Sequence, residues 1–404
     1  MKNITLGDIE KARRFLSSIL PPTPLLYNQW LSDSLGVELY LKLENMQPIG
    51  SFKIRGASYR ISRLSKEQRR RGVICASAGN HAQGVAWGSR HLGVRATIVM
   101  PTGAPLVKVQ NTKALGAKVL LEGRNYDDAY RAAKKLAHRT GQVYVHAFED
   151  PDVIAGQGTV GLEILDQLPN VDCVIASLGG GGLMAGMATA IKAMRPHVKL
   201  IGCQASGAPS LAEAFKRGHA VKLSHVDTFA DGIAVAESRP SMFKILKKYL
   251  DEVVVADDEA IAESILTLLE KGKVIAEASG AIPLAIVDRL RGRLKGQKVV
   301  LVISGGNLDV NVLGRVIDRG LIKAGRRVRV NVLISDTPGS LSRLTGLIAA
   351  EGANILQAIH DRNELATGLN KTGVELTLET KGPEHTRSLI MALKAEASQV
   401  EVLH

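Results

Sequence analysis

The sequence predicts a two-lobed, doubly wound α/β protein that is followed by a small module of βαββαβ order. Three observations support this prediction: strands alternate with helical patterns, the alternation comes in two successive series, and the order of elements changes after residue 325. Alternating strands and helices are typical of parallel sheets with crossover helices. A chain of 404 residues is also longer than one compact domain usually is.

Each predicted strand is a short apolar run between polar or glycine-rich segments. The first series comprises GVELYLKL (36–43), GVICASA (72–78), RATIVMP (95–101), AKVLLE (117–122) and VYVHAF (143–148). The second series comprises VDCVIASL (171–178), VKLIGCQA (198–205), DEVVVAD (251–257) and KVVLVISGG (298–306). Helical patterns such as NYDDAYRAAKKLAHRTG (125–141) separate the strands. Two series indicate two lobes with a crevice between them, where ligands gather at the carboxyl ends of the strands.

The last part of the chain has a different order of elements. The expected strands are VRVNVLIS (328–335), ANILQAIHD (353–361), GVELTLET (373–380) and QVEVLH (399–404), with helices over 341–352 and 382–397. This βαββαβ order is the ferredoxin-like arrangement. We therefore expect one domain over 1–325, in which a small lobe of roughly residues 45–150 is inserted into a large lobe, and a separate domain over 326–404.

Composition argues against several classes of protein. No apolar run is long enough to span a bilayer, and the amino terminus lacks a signal peptide's apolar core, so we expect a cytoplasmic protein without membrane contact. The net charge of +13 comes from basic runs that lie far apart, and aromatic residues are only 4% of the chain, which argues against nucleic-acid binding. Cys75, Cys173 and Cys203 lie in apolar runs without disulfide or metal-ligand spacing.

Two strand-to-helix corners carry a lysine and a run of glycines. In GSFKIRGA (50–57), Lys53 could be a surface charge, a phosphate-binding group or the covalent anchor of a cofactor. In SLGGGGLMAG (177–186), four glycines, Gly179–Gly182, precede a helix. Glycine backbone can approach a phosphate closely, and a helix start offers free N–H groups. The run matches neither the Walker A motif nor the dinucleotide fingerprint.

Two further corners carry polar side chains. In CASAGNHAQG (75–84), small residues and Asn80 expose backbone N–H groups that suit a carboxylate, although Asn80 could instead cap the helix and His81 could be an exposed first-turn residue. In VVLVISGGN (299–307), Ser304 follows a buried strand, where it could also be only a helix cap. Each corner alone is a weak signal for function.

Together these corners resemble the fold-type II pyridoxal-phosphate enzymes, and among them the threonine/serine dehydratases. The resemblance is carried by PPTPLLYNQWLSDSLGVELYLKLENMQPIGSFKIRGA, SAGNHAQGVA, FEDPDVIAGQGT, SLGGGGLMAG, AEASGA and SGGN, which follow in the expected order within residues 10–320. It implies pyridoxal 5'-phosphate as the cofactor. It also implies β-elimination of L-threonine, and of L-serine, to a 2-oxo acid and ammonia.

The resemblance also implies a role for each corner. Lys53 would carry the cofactor covalently and, once released, would remove the α-proton of the substrate. Phe52 would pack against the cofactor ring, Asn80 would hold the ring hydroxyl, and Ser304 would face the ring nitrogen. The phosphate would be held by Gly179, Gly180, Gly181, Gly182 and Leu183. The substrate carboxylate would be held by Ser77, Ala78, Gly79, Asn80 and His81.

Other functions stay open at this point. β-Replacement synthases typically continue with Asp-Arg after the lysine, whereas Ile54 and Arg55 follow it here. Serine racemases also resemble the chain, but they carry a second serine where Ala78 stands and an acidic metal ligand where Ala205 stands. We therefore expect elimination rather than racemisation, and no metal. A non-catalytic amino-acid sensor is disfavoured by the intact Lys53, and an NAD-dependent oxidoreductase by the absent fingerprint.

The tail VLISDTPGSLSRLTGLIAAEGANI (332–355) resembles an ACT domain. The resemblance implies side-by-side pairing and an amino-acid effector, isoleucine or valine, near Gly339, Leu341 and Asn354. A purely structural oligomerisation module is the alternative. The expected partners are therefore an amino-acid substrate, an amino-acid effector and further copies of the chain in a dimer or tetramer. The preference for threonine or serine stays open.

Overall fold

The computed structural model describes residues 3–362 and 370–403. The chain divides into two compact units, Met1–Leu308 and Asp309–His404. The helices of the first unit are α1 (Leu6–Leu16), α2 (Gln29–Leu35), α3 (Lys53–Ser62), α4 (Lys66–Arg71), α5 (Asn80–His91), α6 (Leu106–Ala114), α7 (Tyr126–Thr140), α8 (Pro151–Gln167), α9 (Gly182–Met194), α10 (Ser210–Arg217), α11 (Pro240–Tyr249), α12 (Asp258–Thr267) and α13 (Ala278–Leu294). Its strands are β1 (Leu25–Tyr27), β2 (Glu38–Leu43), β3 (Val73–Ala76), β4 (Ala96–Met100), β5 (Lys118–Leu121), β6 (Val143–Tyr144), β7 (Cys173–Ser177), β8 (Lys199–Ala205), β9 (Glu252–Ala256) and β10 (Lys298–Ile303).

The larger sheet of the first unit has the strand order β1-β2-β10-β7-β8-β9. Every neighbouring pair is parallel except β1 with β2, which is antiparallel. The central strand β7 is fully buried and β10 nearly so, as expected for parallel strands covered by helices on both faces. The sequence predicted each strand except β1, a three-residue edge strand that is too short to produce a periodic pattern.

The smaller sheet has the order β5-β4-β3-β6 and is parallel throughout. All its strands come from the segment between β2 and β7 of the larger sheet. The predicted pair of doubly wound lobes is therefore confirmed. Only Val143 and Tyr144 of the predicted run 143–148 form a strand, because the chain after Tyr144 turns into a loop that contacts Lys53 and the glycine corner.

A buried ion-pair network anchors helix α3, which begins at Lys53. The Arg55 guanidinium donates to both carboxyl oxygens of Glu44 and of Glu163 at 2.6–2.8 Å. The ammonium of Lys42 donates to Glu163 at 2.6 Å. Burial by itself raises the pKa of the Glu44 carboxyl, but the Arg55 charge and hydrogen bonds lower it overall. The network therefore fixes α3 to the segment after β2 and to α8.

The second unit has the helices α14 (Val310–Lys323), α15 (Ser340–Ala350) and α16 (Pro383–Glu396). Its strands are β11 (Arg327–Ser335), β12 (Asn354–Asp361), β13 (Lys371–Glu379) and β14 (Gln399–Leu403). The antiparallel order β12-β13-β11-β14 confirms the predicted ferredoxin-like module. His404, the last residue of the predicted final strand, lies outside the described residues. Within the described ranges, no helix is both long enough and apolar enough to cross a membrane.

Candidate active site

Lys53 lies where the two sheets of the first unit approach each other. The backbone N–H of Phe52 donates to the carbonyl of Ser304 at 3.1 Å, so α3 starts beside the carboxyl end of β10. The Lys53 Nζ donates to the carbonyl of Ala147 at 3.2 Å. Burial lowers the pKa of the Lys53 ammonium to about 8, and the nearby Glu277 carboxylate partly opposes this shift. A substantial fraction of Lys53 is therefore the neutral, nucleophilic amine near pH 8.

The glycine corner Gly179–Gly182 connects β7 to α9 and forms a cradle of backbone donors. Gly181 has φ of +88°, a conformation that favours glycine. Among the described residues, none accepts a hydrogen bond from the N–H groups of this corner, although Gly181 and Gly182 are buried. A Cβ at Gly180 would lie 2.3 Å from ring atoms of Phe148. Buried, unpaired donors at a helix start fit an anion such as a phosphate.

Asn80 is the first residue of α5, and its side chain does not cap that helix. Gly79 occupies the N-cap position and supplies no side-chain hydrogen bond. Instead, Asn80 Nδ2 donates to Glu277 Oε1 at 2.8 Å, and Asn80 Oδ1 accepts from Asn307 Nδ2 at 2.7 Å. The helix-cap alternative for Asn80 is therefore wrong. Its amide joins the small lobe to two segments of the large lobe.

The rest of the Ser77–His81 corner forms a second set of backbone donors. Ser77 Oγ accepts from the N–H of Gly79 at 3.2 Å, which tightens the turn. No residue of the described chain accepts a hydrogen bond from the N–H groups of Ala78, Asn80 or His81. These donors lie at the start of a twelve-residue helix, as a carboxylate site requires.

His81 is buried rather than exposed, so the alternative of an exposed first-turn residue is wrong. Its relative exposure is 4%, and its Nε2 donates to the carbonyl of Val145 at 2.9 Å. Burial, together with the positive charge of Lys53, lowers the pKa of the imidazole to about 3. The ring is therefore neutral at physiological pH and ties α5 to the loop after β6.

Ser304 is buried at the carboxyl end of β10. Its Oγ donates to the carbonyl of Ser279 at 3.2 Å and lies 3.3 Å from Ser177 Oγ. The hydroxyl does not cap a helix, so that alternative is wrong as well. A neutral hydroxyl at the carboxyl ends of β7 and β10 can meet a ring nitrogen without supplying a negative charge.

The residues present fit pyridoxal phosphate. They offer an amine with a lowered pKa, unpaired backbone donors for a phosphate, an amide and a buried hydroxyl. The Phe52 ring centroid lies 5.1 Å from Lys53 Nζ and so provides an apolar face beside the anchor. Leu183 follows the glycine corner in the first turn of α9 and is buried. All four corners that the sequence singled out meet around Lys53.

Several residues of the site had no predicted role. Glu277 and Asn307 lie in the motifs AEASGA and SGGN, so the sequence contained a signal for both, but nothing in it paired them with Asn80. Ala147 contributes only a backbone carbonyl, which no residue type reveals. Phe148 packs against Gly180, and an aromatic residue in a loop is not by itself a functional signal.

The residues predicted to bind an effector, Gly339, Leu341 and Asn354, are not brought together within one chain. Gly339 and Leu341 lie at the start of α15, just beyond the Ser335 end of β11. Asn354 begins β12 and pairs with Glu379 of β13. Glu379 also pairs with Arg327, which is at the other end of β11. These two ends are eight residue steps apart along β11, a distance of about 26 Å.

The chain belongs to the family of pyridoxal-phosphate dependent enzymes, because the family model of that description matches residues 16–305. The matched residues contain the Lys53, Asn80 and glycine corners, Ser304 and both sheets of the first unit. The cofactor inferred from the geometry is therefore the cofactor of the family.

Particular relatives narrow the comparison. An L-threonine ammonia-lyase of Thermotoga maritima is 47% identical over 401 residues, which cover 99% of this chain and 100% of the relative. The solved structure of the processed form of threonine deaminase isoform 2 from Solanum lycopersicum is 41% identical with a TM-score of 0.75, covering 78% of this chain and 91% of that one. Maize serine racemase is 32% identical with a TM-score of 0.75, covering 80% of this chain and 99% of its own.

Proposed function

We propose that this chain is a threonine ammonia-lyase, which converts L-threonine to 2-oxobutanoate and ammonia and also accepts L-serine. The observation that carries the proposal is the placement of Lys53. Its ammonium, with a pKa lowered to about 8, lies among the glycine corner, the Asn80 corner and Ser304. The named activity of the Thermotoga relative, which matches the chain over its whole length, supports threonine as the substrate.

Each corner has a part in this reaction. Pyridoxal phosphate supplies the electron-withdrawing ring that stabilises the charge left when the Cα proton of the substrate is removed. Lys53 would hold the cofactor covalently and, as a free amine, would accept that proton. Backbone N–H groups of Gly179–Gly182 would bind the phosphate, and those of Ser77–His81 would orient the substrate carboxylate. Ser304 would face the ring nitrogen as a neutral group, which would keep the ring a moderate electron sink and favour loss of the β-hydroxyl over transamination.

Racemisation is the second candidate, because the fold also matches a serine racemase. Inverting a Cα centre needs a proton donor on the face opposite Lys53. Ala78 stands where racemases carry a serine, and its side chain has no proton to donate. The relative that matches this chain over its whole length is named for ammonia-lyase activity, so elimination is the better-supported reaction.

Incubation of the purified, cofactor-loaded protein with L-threonine tests the proposal. We expect stoichiometric 2-oxobutanoate and ammonia, together with visible absorbance from the bound cofactor. Lys53→Ala should remove both signals, whereas Lys66→Ala, on the exposed α4, should remove neither. Formation of pyruvate from L-serine would establish L-serine as the second substrate. Formation of D-serine from L-serine, without any oxo acid, would establish racemisation instead. Absorbance without any product from either substrate would contradict the lyase assignment.

We further propose that the second unit is an ACT-like regulatory domain that binds isoleucine or valine between two copies of the chain. Since Gly339 and Asn354 lie at opposite ends of β11, a site built from both needs Gly339 of one copy and Asn354 of another. Leu341 is partly exposed beside Gly339, where it can contact an aliphatic ligand. Regulation therefore requires a homo-oligomer, either a dimer or a tetramer.

Activity and sedimentation measurements with added amino acids test this regulatory proposal. We expect isoleucine or valine to change the KM for threonine, and Asn354→Ala to abolish that response while leaving the basal kcat unchanged. Asn331→Ala, on β11 of the same unit, is the matched control and should keep the response. A monomeric protein, or no change in rate, KM or assembly with any amino acid, would contradict the proposal.

A further inference from the structure

A chain of hydrogen bonds runs through the side chain of Asn80 and ends on both sides at groups that only accept. Asn307 Nδ2 donates to the carbonyl of Ile49 at 2.8 Å and to Asn80 Oδ1 at 2.7 Å. Asn80 Nδ2 then donates to Glu277 Oε1 at 2.8 Å. Ser279 Oγ donates to the same Glu277 oxygen at 2.6 Å. These hydrogen bonds join the Asn80 corner to three other segments. Ile49 lies before α3, Glu277 before α13 and Asn307 after β10.

The acceptors at the two ends determine how both amides are oriented. A backbone carbonyl has no proton to donate, so Asn307 must turn its nitrogen toward Ile49. The same nitrogen then provides the donor for Asn80 Oδ1. Burial raises the pKa of the Glu277 carboxyl, whereas the hydrogen bonds from Ser279 and Asn80 favour its ionised form, which only accepts. Asn80 therefore turns its nitrogen toward Glu277. The opposite orientation of Asn80 would place oxygen against oxygen at Glu277 and nitrogen against nitrogen at Asn307.

Close backbone packing leaves these side chains little room to rearrange. A Cβ at Gly305 would lie 2.5 Å from Glu277 Oε1 and 3.2 Å from Asn80 Nδ2. A Cβ at Gly50 would lie 2.5 Å from Asn307 Oδ1. The two distances of 2.5 Å are well below normal contact. The backbone at Gly305 and at Gly50 therefore lies directly against the hydrogen-bonded side chains. Glu277 is only 7% exposed, which strengthens its hydrogen bonds relative to those in water.

We propose that Asn307 and Glu277 are positioning residues, which hold the Asn80 amide so that its nitrogen offers the cofactor a hydrogen-bond donor. A primary amide nitrogen carries two hydrogens, and the contact with Glu277 uses one. The second is the donor that remains for a ligand. A ligand group that meets this hydrogen accepts, as the ionised ring hydroxyl of pyridoxal phosphate would. This inference rests on the cofactor site of the proposed function.

Glu277 has a second, separable effect. Its carboxylate is the charge that raises the pKa of Lys53 against the lowering by burial. Replacing Glu277 with glutamine keeps a carbonyl oxygen that can accept from Asn80 and Ser279, but it removes the negative charge. The variant therefore separates the orientation of Asn80 from the electrostatic effect on Lys53.

Titration of the full-length protein with pyridoxal 5'-phosphate, followed by visible absorbance, tests the proposal. Asn307→Ala removes the donor to Asn80, and Asn307→Asp is an isosteric replacement that cannot donate at all. We expect both variants to raise the cofactor Kd about tenfold, which corresponds to about 1.4 kcal/mol. We also expect the pH at which the bound cofactor's absorbance titrates to rise, because the ionised hydroxyl loses a donor. A general loss of stability would not produce that shift.

Two further variants complete the comparison. Asn45→Ala removes an amide that donates to the carbonyl of Ile275 at 3.0 Å outside the chain of hydrogen bonds, so its Kd should stay within about twofold of the wild type. Glu277→Gln should keep the Kd within about threefold and move the midpoint for cofactor attachment at Lys53 to lower pH.

Equal Kd values and titrations for the Asn307 variants and Asn45→Ala would overturn the proposal. A Glu277→Gln Kd as high as that of Asn307→Ala would also overturn it, since charge and not orientation would then be decisive. Circular dichroism confirms that each variant is folded before titration. Failure of the proposed function would give a different result, in which the wild type binds the cofactor but does not deaminate threonine. The Kd values of the variants would still test the positioning proposal in that case.

Discussion

At the scale of the residue, Lys53 is held in surroundings that disfavour its own charge. Burial lowers the pKa of its ammonium from 10.5 to about 8, and the Glu277 carboxylate only partly restores it. The neutral amine is the form that attacks a carbonyl and accepts a proton, so the same burial that supports catalysis opposes folding with a charged lysine.

Lys53→Met should therefore stabilise the cofactor-free protein at pH 7, by up to about 3 kcal/mol. The folded state lowers the pKa of Lys53, so burying the protonated amine lowers the free energy of unfolding. This loss of stability is complete below pH 8. The loss disappears as the pH rises to the unfolded value of 10.5. Urea unfolding at pH 7 and pH 10.5 measures the difference. Lys66→Met, at an exposed position, is the control, and an equal effect of both variants at pH 7 would contradict the prediction.

Gly180 offers a second prediction at this scale, since the Phe148 ring occupies the place of its missing side chain. A Cβ at residue 180 would lie 2.3 Å from ring atoms, so Gly180→Ala must displace either the ring or the glycine corner. We expect a loss of about 1–3 kcal/mol in unfolding free energy and at least tenfold weaker cofactor binding.

Gly292→Ala is the matched control for Gly180→Ala. Gly292 lies within α13, and a Cβ there would meet no atom within 4 Å. This change should stabilise the protein by about 0.5–1 kcal/mol, because alanine loses less conformational freedom in a helix. Cofactor affinity like that of the wild type in Gly180→Ala would show that the corner adapts to a side chain.

At the scale of the element, α3 is anchored by charge pairs on the side away from the cofactor corners. Arg55 contacts Glu44 and Glu163, and the side chains of Arg55 and Glu44 are nearly inaccessible to solvent. A buried ion pair of this kind adds little net stability compared with apolar residues. Removal of either partner is nevertheless costly, because it leaves the other charge buried and uncompensated. The first residue of that helix is Lys53.

Arg55→Met should lower the unfolding free energy by about 3–5 kcal/mol, because the buried Glu44 carboxylate loses its guanidinium partner and keeps only weaker contacts such as the Thr23 hydroxyl. The lowered pKa of Glu44 means that the pair stabilises the fold above pH 4.5 and that this contribution is lost as the pH falls through the folded pKa. The difference in unfolding free energy between Arg55→Met and the wild type should therefore become smaller in acid.

Arg13→Met is the control for the buried pair. Arg13 pairs with Asp166 at 2.8 Å, but both side chains are about half exposed. Removing an exposed pair of this kind should change the unfolding free energy by less than about 1 kcal/mol. Similar losses for Arg13→Met and Arg55→Met in urea unfolding would contradict the role given to burial.

At the scale of the whole molecule, the proposed catalytic residues and the proposed effector residues belong to different units. Every residue of the candidate active site lies before Leu308, and the effector residues lie in the ferredoxin-like unit that begins at Asp309. The chemistry and its proposed control are thus encoded in separate parts of the chain.

A chain ended after Leu308 should keep the basal kcat for threonine within a fewfold and lose the response to isoleucine or valine. The expectation follows because the first unit contains both sheets and all four corners around Lys53. Steady-state kinetics of the shortened and full-length proteins, with and without each amino acid, provide the measurement. A shortened protein that is folded and cofactor-loaded but inactive would show that the active site depends on the second unit.

The architecture and the principal groups of the site could be predicted from residues that are neighbours along the chain. Strand and helix periods, glycine runs and the ferredoxin-like order depend on neighbours along the chain, so they can be read locally. Lys53, Gly179–Gly182, Asn80 and Ser304 were recognisable for the same reason, because each lies in a short glycine-containing motif next to a predicted strand or helix start. The one missed strand, β1, is too short to carry a period.

Only the tertiary structure decided the state and orientation of those groups. Asn80 contacts Glu277 and Asn307 across 197 and 227 residues of sequence, and such contacts leave no periodic pattern. The lowered pKa of Lys53, the buried neutral ring of His81 and the direction of the Asn80 amide all arise from burial and from distant partners. Residue type determines which chemistry a side chain can perform, whereas folding determines its protonation and the direction in which it donates, because both depend on surroundings that the chain assembles only in three dimensions.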